Sequence, residues 1–351
     1  MTAAAPYSAL FKRGISRTHI AQQTIRGSIR QFHHSPYLEM KGARITSWGS
    51  PPEYMEVPDL PKPSPTQLRL RVLAAGVPRA VKGRAAGQHP SAFNQPLPYD
   101  PSIDGVGRDE ITGDLYFINS LAAPLFAEYA NVQRTQLFKV DPNTDPVAIA
   151  ALANNTLSSW MALQCRAIGG CKDRTVVILG ATSNSGRCAA KVARILGAKK
   201  VVGISRNPET LAKVEGLDKR VTLEDPLEFP ETIGPVHIIL DFVGGPAAIQ
   251  LLQAAEADPV ANLQYIQTGG VAGCEFLNIP ARLINVKPIR IMASGLGSLS
   301  EEEIAREMPG CVDAMVKIKT PPYEVLAAPM RDVRSVWDSE EAKTKRLVLL
   351  P

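Results

Sequence analysis

The first part of the chain after residue 39 combines short alternating segments with many prolines. Residues 68–73 alternate apolar and polar side chains, which is typical of a strand with one solvated face. Residues 43–48 form a similar short run, and prolines at positions 51, 52, 58, 61, 63 and 65 interrupt the sequence between the two runs. The pattern predicts an antiparallel β-rich domain up to about Pro142, followed by a helix over residues 146–163.

From residue 175 onwards, short β-branched runs alternate with helical patterns. The runs cover residues 175–179, 201–204, 221–223, 236–241, 263–267 and 289–293. Strands that alternate with helices predict βαβ units, and near-continuous apolar runs predict a parallel sheet that is buried on both faces. The expected fold class is therefore α/β, with a β-rich domain and a doubly wound, Rossmann-type parallel sheet. A helix over 301–317 and a final strand over 346–350, which returns to the first domain, complete the prediction.

The first predicted strand of the parallel sheet ends in a turn of small residues. The turn consists of Gly180, Ala181, Thr182, Ser183, Asn184, Ser185 and Gly186. A helix follows, with Ala189, Val192, Ala193 and Leu196 on its inward face and Gly197 at its end. Small side chains let the backbone approach a pyrophosphate, whose charge is favoured at the start of a helix. Ser183 and Asn184 stand where glycines are often found, so an ordinary strand–helix turn is the alternative.

The residues at the end of the second strand of this sheet indicate which of the two nicotinamide cofactors the protein prefers. An acidic residue there would bind the ribose hydroxyls of NAD, but the sequence has Ser205 and Arg206 instead. A hydroxyl and a guanidinium suit a 2′-phosphate, so we predict NADPH as the cofactor in preference to NADH. A solvated loop charge is the alternative interpretation of Arg206.

The net charge of +5 comes from the start of the chain. Five basic residues and no acidic ones lie in the first 38 positions, which leaves 34 basic and 34 acidic residues in the remainder. A neutral remainder gives no support to nucleic-acid binding. No apolar run approaches the length of about 18 residues that a membrane-spanning helix needs, so membrane insertion is not expected.

The basic, acid-free leader is typical of a mitochondrial transit peptide. Residues 30–35 resemble a two-step processing motif that would remove residues 1–39 and leave Met40 as the mature start. We therefore expect import into the mitochondrial matrix. A disordered basic tail or a misassigned start codon is the alternative, and the protein would then be cytoplasmic.

The cysteine and histidine content does not favour disulfides or a zinc site. The cysteines number five, are irregularly spaced and form no Cys-x-x-Cys pair. Outside the leader, the histidines are His89 and His237. Three or four Cys or His ligands for zinc are therefore hard to assemble, and we expect no metal.

A series of short motifs resembles the zinc-independent medium-chain dehydrogenase/reductases, in the branch of the quinone oxidoreductases and enoyl reductases. The motifs are Trp-Gly-Ser-Pro-Pro at 48–52, Val-Leu-Ala-Ala-Gly-Val at 72–77, Asp-Gly-Val-Gly at 104–107, Ser-Ser-Trp-Met-Ala-Leu at 158–163, the turn at Gly180, Leu-Asp-Phe-Val-Gly-Gly at 240–245 and Gly269-Gly270. The resemblance implies a GroES-like catalytic domain formed by residues 40–157 and 296–351, with a Rossmann domain over 158–295 between them. It also implies NADPH in the cleft, a small-molecule substrate and a homodimer.

The resemblance also implies roles for individual residues. Ser158 would lie beside the nicotinamide and Trp160 would line the cleft. Gly244 and Gly245 would lie near the adenosine, and Gly269 and Gly270 near the nicotinamide amide. Phe242 is a further candidate for cofactor binding. Tight turns and helix packing are the structural alternatives for these glycines and for Trp160. Pro78, Arg79 and Asp104 stand where zinc-dependent relatives carry their metal ligands, which argues against a catalytic zinc.

The expected reaction is hydride transfer to a quinone or to an α,β-unsaturated carbonyl compound. His89 stands near the place of a catalytic tyrosine in mitochondrial enoyl-thioester reductases, and its ordinary pKa of about 6.5 suits a proton donor. Arg79 and Lys82 are candidates to hold an anionic substrate oxygen. We expect His237 to be a packed strand residue. Two alternatives remain: a specialised biosynthetic reductase or dehydrogenase, and a non-catalytic member that retains the fold.

Overall fold

Two large β-sheets and the helices around them make up the protein. The structure is a computed structural model and describes residues 39–268 and 276–351. The strands of this part are β1 (Met40–Arg44), β2 (Glu53–Val57), β3 (Gln67–Gly76), β4 (Gly105–Arg108), β5 (Leu115–Ile118), β6 (Tyr129–Gln133), β7 (Leu137–Val140), β8 (Thr175–Leu179), β9 (Lys200–Ser205), β10 (Lys219–Thr222), β11 (Ile238–Asp241), β12 (Leu263–Gln267), β13 (Ile289–Ala293), β14 (Val325–Pro329) and β15 (Arg346–Leu350). The helices are α1 (Arg79–Ala85), α2 (Pro146–Met161), α3 (Asn184–Ile195), α4 (Pro208–Ala212), α5 (Gly245–Ala254), α6 (Ala281–Val286), α7 (Glu301–Ile318), α8 (Val333–Val336) and α9 (Glu340–Thr344).

The second sheet is parallel throughout. Its strand order is β10-β9-β8-β11-β12-β13, and every neighbouring pair is parallel. This is a doubly wound order: the strand order reverses between β8 and β11, and in such sheets ligands bind at this point, outside the carboxyl ends of the strands. The residues of β8 are buried because helices cover both faces of the sheet. The predicted fold class is confirmed.

The first sheet is formed by strands from both ends of the described chain. Its order is β14-β15-β3-β4-β5-β7, and β6 also pairs with β3. β15 lies antiparallel to β3, so the end of the chain returns to this sheet as predicted. β1 and β2 form a separate antiparallel pair.

Helix α2 packs against strands β3, β4 and β15 of the first sheet and against helices α3 and α7. Pro146 occupies its first turn, and the side chain of Asp145 accepts a hydrogen bond of 2.9 Å from the N–H of Val147, which caps the helix. Residues Ile149–Ala153 are all buried, in one hydrophobic core with Val106 and Val176. A short π-helical turn, Ala162–Arg166, extends the helix. The predicted helix is confirmed, and it couples the β-rich half to the parallel half of the protein.

Three local predictions need correction. The run 43–48 is a strand only as far as Arg44, because Gly49 has a φ of +84° and the chain turns there. His237 precedes β11, and its ring accepts a hydrogen bond of 3.3 Å from the N–H of Thr175 and faces Asp258. Helix α3 begins at Asn184, inside the predicted turn. The domain boundaries at 157/158 and 295/296 remain predictions.

Candidate functional site

Two glycines allow the turn after β8 to fold tightly. Gly180 has a φ of +89°, and the N–H groups of Gly180 and Ala181 donate to the carbonyl of Ile204 at 2.9 and 3.0 Å. A Cβ atom at Gly186 would lie 2.3 Å from the carbonyl oxygen of Gly180. Only glycine fits both positions, because one requires a left-handed backbone and the other a close backbone contact. The turn therefore brings bare backbone to the carboxyl edge of the sheet.

Ser183 caps the start of helix α3, which explains why no glycine is needed at this position. Its φ of −67° is ordinary, and its Oγ accepts a hydrogen bond of 3.0 Å from the N–H of Gly186. Asn184 and Ser185 follow as the first helical residues. Their N–H groups have no acceptor in the part of the chain that the structure describes, as is usual in a first helical turn. These donors and the helix dipole favour an anion at this point.

The second strand ends directly beside this turn. The hydroxyl groups of Thr182 and Ser205 are hydrogen-bonded at 2.6 Å. Arg206 is exposed and has no acidic partner among residues 39–268 and 276–351. A free guanidinium thus lies one residue from a side chain that contacts the turn after β8. This arrangement fits the 2′-phosphate of NADPH better than the two hydroxyl groups of an unmodified ribose.

The end of β11 supplies the third side of the site. Asp241 is buried, and its Oδ1 accepts hydrogen bonds from the N–H groups of Val243 and Gly244 at 2.7 and 2.9 Å. The hydroxyl group of Tyr265 donates to its other oxygen, Oδ2. Gly244 has a φ of +76°, so the chain turns here into α5. Phe242 lies against the turn, with its Cβ 3.4 Å from the point where a Cβ of Gly180 would be.

Gly269 and Gly270 lie outside the described residues. Their predicted contact with the nicotinamide amide stays a prediction, as do the cofactor contacts of Gly180 to Gly186, Ser205, Phe242 and Gly244.

A cluster of polar side chains joins α2, α3 and β15, and no sequence motif pointed to it. Asn155 Oδ1 accepts hydrogen bonds from Ser185 Oγ and Arg346 Nη2, each at 3.1 Å. Its Nδ2 donates to the hydroxyl group of Tyr323 at 2.7 Å, and Arg346 Nη1 donates to the carbonyl of Val77 at 3.1 Å. The cluster fixes the first turn of α3 against the β-rich half. Its members are far apart in sequence, so no local pattern could reveal them.

Asp104 is a buried acid next to this cluster. It is 1% exposed, and neither carboxylate oxygen has a hydrogen-bond partner among the described residues. Burial raises the pKa of Asp104 to about 7, although the charge of Arg346 acts in the opposite direction. The motif at 104–107 pointed to this position only as the replacement of a zinc ligand. The raised pKa of Asp104 is caused by burial, and this burial could not be predicted from the sequence.

Of the two α2 residues singled out in the sequence, Ser158 remains a candidate and Trp160 does not. Ser158 is partly buried, and its Oγ donates to the carbonyl of Asn155 at 3.0 Å. A contact with the nicotinamide stays a prediction. Trp160 is 7% exposed, donates to Glu307 at 3.3 Å and packs against Gly310. It therefore holds α7 on α2, and its prediction as a cleft residue is wrong because the indole is covered by α7.

The two cationic candidates of α1 differ in their surroundings. Arg79 is exposed at the first residue of the helix and forms no ion pair within the described chain. Lys82 donates to Asp338 at 3.0 Å and to the carbonyl of Trp337, with its ammonium group 4.0 Å above the indole. Lys82 thus binds the C-terminal segment, and a contact with a substrate oxygen stays a prediction. Arg79 remains a candidate.

His89 lies at the start of a short 3₁₀ turn, Pro90–Ala92, where it contacts Ser91. Its Nδ1 lies 2.8 Å from Ser91 Oγ and 3.2 Å from the N–H of Ser91. Burial and the nearby charge of Arg84 lower the pKa of His89 below its ordinary value. The ring therefore favours its neutral form at pH 7. The expectation of a proton donor with an ordinary pKa does not hold for this residue. A neutral ring can still donate a hydrogen bond from Nε2.

Neither a metal cluster nor a spanning helix is found in residues 39–268 and 276–351. No group of three or more His, Cys, Asp or Glu side chains there could hold a metal ion. No helix of the same residues is long and apolar enough to cross a membrane. Cys165, Cys171, Cys188 and Cys311 are free thiols, and Cys274 lies outside the described residues.

Comparisons with known proteins agree with this architecture. The chain is 44% identical over 356 aligned positions to a protein of Emericella nidulans named "Probable NADPH-dependent quinone reductase tdiC", with 89% of this chain and 100% of that protein covered. The quinone oxidoreductase of Thermus thermophilus, solved also with NADPH, has a TM-score of 0.71 at 21% identity over 89% of this chain and 100% of that chain. An alcohol dehydrogenase of Pyrobaculum aerophilum has a TM-score of 0.67 at 19% identity over the same shares. No family model matches the sequence. At this level of identity to the Emericella protein, the chain belongs to the quinone oxidoreductase branch of the medium-chain dehydrogenase/reductases, a superfamily of nicotinamide-dependent oxidoreductases.

Proposed function

We propose that this enzyme uses NADPH to reduce a quinone or an α,β-unsaturated carbonyl compound without a metal ion. The observation that carries the proposal is the direct contact between the phosphate-binding turn and the end of β9, through Thr182 and Ser205. This contact brings an unpaired Arg206 beside an anion-binding helix start. The name of the Emericella relative, which specifies NADPH and a quinone, supports the same cofactor and substrate class.

The residues at the carboxyl edge of the parallel sheet fit the cofactor. The bare backbone at Gly180 and Gly186 and the free N–H groups of Asn184 and Ser185 would hold the pyrophosphate, and Arg206 would hold the 2′-phosphate. Bound NADPH supplies a hydride, and the protein supplies orientation and charge. Thr182 and Ser205 keep the two anion-binding parts of the site in register.

The substrate side of the site would be formed by His89, Arg79 and Ser158. Negative charge develops on the oxygen of a quinone or enone when it accepts a hydride, so a preorganised donor lowers the barrier. His89 offers an N–H group without changing its charge, and Arg79 offers an unpaired cation near the start of α1. Ser158 offers a hydroxyl group on α2. A quinone needs no separate proton donor of defined pKa, which suits a neutral histidine.

The metal-free part of the proposal rests on the residues at the positions of the zinc ligands. Pro78 and Arg79 offer no ligand atom of the usual kind, and Asp104 is a single buried carboxyl group. We therefore expect the rate to be unchanged by a strong chelator, and elemental analysis of the active protein to find no stoichiometric zinc.

Steady-state turnover of the full chain with a panel of quinones and enones tests the proposal. We expect NADPH oxidation that depends on a benzoquinone, a naphthoquinone or a cyclic enone, with a much higher kcat/KM than NADH gives. Tight NADPH binding without turnover on any of these acceptors would favour the non-catalytic alternative. Turnover confined to one elaborate metabolite would favour a specialised biosynthetic reductase.

We further propose that residues 1–39 direct the protein into mitochondria. The support is the basic, acid-free composition of this leader. A fluorescent protein fused to the C-terminus should colocalise with mitochondria, and N-terminal sequencing should find Met40 first. Cytoplasmic fluorescence with an intact N-terminus would show that the leader has no targeting role.

A further inference from the structure

Arg84, Ser91 and His89 form a hydrogen-bonded chain at the end of α1. The guanidinium of Arg84 is buried, at 6% exposure, and its Nη1 donates to Ser91 Oγ. Its Nε donates to the carbonyl of Pro101 at 2.9 Å. Ser91 Oγ in turn lies 2.8 Å from His89 Nδ1, which also meets the N–H of Ser91 at 3.2 Å.

The direction of each hydrogen bond in this chain follows from the donors. A guanidinium and a backbone N–H can only donate. Ser91 Oγ therefore accepts from Arg84, and its own proton is free to be donated to His89 Nδ1. Nδ1 receives the backbone N–H of Ser91 as well, so it must present a lone pair. The imidazole proton then lies on Nε2.

The surroundings of His89 also favour its neutral form. Burial lowers the pKa of His89, and the positive charge of Arg84 lowers it further. Asp100 and Tyr99 act on Arg84 and favour its charged form against burial. Asp100 also forms an ion pair of 2.8 Å with Arg44, so this acid is engaged elsewhere. A proton on Nδ1 would face both the N–H of Ser91 and a nearby cation.

We propose that Arg84 and Ser91 are positioning residues that hold His89 as a neutral ring with its proton on Nε2, ready to donate a hydrogen bond to the substrate oxygen. The inference rests on the proposed function for its last step, since a substrate oxygen is needed to accept the bond. In this role His89 donates a hydrogen bond and does not transfer its proton. His89 stabilises the developing negative charge through a hydrogen bond from Nε2.

Long-range proton–nitrogen NMR spectra of the full chain, labelled at the histidine ring nitrogens, test the tautomer without substrate. The signal that disappears in His89→Gln identifies the residue. We expect Nε2 at a protonated shift and Nδ1 at an unprotonated one at neutral pH, with a titration midpoint below the ordinary pKa of histidine. In Ser91→Ala the titration midpoint should rise and the two tautomers should mix, while Ser91→Thr should retain the pattern of the natural protein. A proton on Nδ1 in the natural protein would overturn the proposal.

The pH profile of kcat/KM for quinone reduction tests the consequence for substrate. We expect a flat profile between about pH 7 and 8 for the natural protein and for Ser91→Thr. Ser91→Ala should lose about tenfold at pH 7, the loss expected for one hydrogen bond, and should gain a pH-dependent step. Unchanged rates in both Ser91→Ala and His89→Gln would overturn the proposal. If the natural protein reduces no acceptor, the proposed function fails, and the NMR spectra still decide the tautomer.

Discussion

Burial controls the charge of Asp104, and this has a measurable effect on stability. The pKa of this carboxyl group is raised from 3.8 to about 7. Between these two pH values the folded protein binds more protons at this site than the unfolded chain does. The free energy of unfolding therefore falls as the pH rises from about 4 to about 7, and this contribution is constant above that range.

Asp104→Asn removes this group without changing its size. We expect the variant to be more stable than the natural protein at pH 8, by an upper limit of about 4 kcal/mol, and to lose this advantage as the pH falls to about 4. Urea unfolding at both pH values measures the difference, with Asp313→Asn on the exposed side of α7 as the control. A variant that is less stable at pH 8 would contradict the argument and indicate a well-paired carboxylate.

Gly186→Ala tests the close backbone packing in the turn after β8. In Gly186→Ala the new Cβ would lie 2.3 Å from the carbonyl oxygen of Gly180 and 2.7 Å from Cα of Ala181. Because both are backbone atoms, we expect a loss of about 1–3 kcal/mol of stability and at least a tenfold loss of NADPH affinity. Gly297→Ala, whose Cβ would meet nothing within 4 Å, serves as the control. Full NADPH affinity in Gly186→Ala would exclude this turn as the phosphate site.

Single residues were predictable where a local pattern dictates them. The small residues around Gly180 identified the turn, because strand, turn and helix follow one another directly in the sequence. The role of Ser183 as a helix cap was missed, since a serine at a glycine position was interpreted as a weakened motif. Trp160 was misplaced because its cover, α7, lies about 140 residues further along the chain.

At the scale of elements, Arg166 joins the end of α2 to the start of α7. Its guanidinium binds both carboxylate oxygens of Glu303, at 2.7 and 3.1 Å, and donates to the carbonyls of Ala293 and Ser298. Glu303 also caps α7 together with Ser300. These bonds fix the segment between β13 and α7.

Arg166→Ala should loosen this segment more than it affects the rest of the fold. We expect faster amide hydrogen exchange over residues 294–303 and a destabilisation of about 1–3 kcal/mol, as for other lost hydrogen bonds to charged groups. Arg306→Ala, which removes only an exposed pair with the adjacent Glu307, should have little effect. Equal exchange rates in the two variants would show that Arg166 does not anchor the segment.

The parallel strands were the best-predicted elements, because strands that are buried on both faces leave continuous apolar runs in the sequence. The predicted strand 236–241 begins two residues too early, because Val236 is buried and apolar although the strand starts only at Ile238. In the β-rich half, prolines and glycine turns break the pattern, and the end of the first strand was missed for this reason.

At the scale of the whole molecule, the edge of the parallel sheet is open at β13. Among the described residues, this strand pairs only with β12, and Ile291 is 46% exposed on it. Ile284 and Val286 of the preceding helix are exposed as well. An open edge with apolar side chains favours pairing with another chain, and we propose a homodimer formed through β13.

Ile291→Lys places a charge on this edge and should produce a monomer. Light scattering after size-exclusion chromatography measures the mass, with Ile111→Lys as the control because Ile111 is an exposed apolar residue of the β-rich half. A dimer that persists in Ile291→Lys would place the interface elsewhere, and a monomeric natural protein would exclude the dimer.

Two features of the protein depend on how the β-rich half packs against the parallel half, and the sequence could not predict them. The cluster of Asn155, Ser185, Tyr323 and Arg346 is formed by segments from α2, α3 and the end of the chain. The second feature is the burial of Asp104 without a hydrogen-bond partner among the described residues. Both depend on tertiary packing, whereas the turn at Gly180 and the order of the strands are encoded locally.

The central claim is that the turn at Gly180 and Arg206 together bind NADPH. Fluorescence titration of the full chain with NADPH and NADH, in the natural protein and in Arg206→Ala, tests it most directly, with Arg331→Ala as an exposed control. We predict a clear preference for NADPH in the natural protein and in the control, and a loss of about tenfold or more in NADPH affinity, with NADH affinity unchanged, in Arg206→Ala. Equal affinities for both cofactors, or no binding of either, would contradict the account.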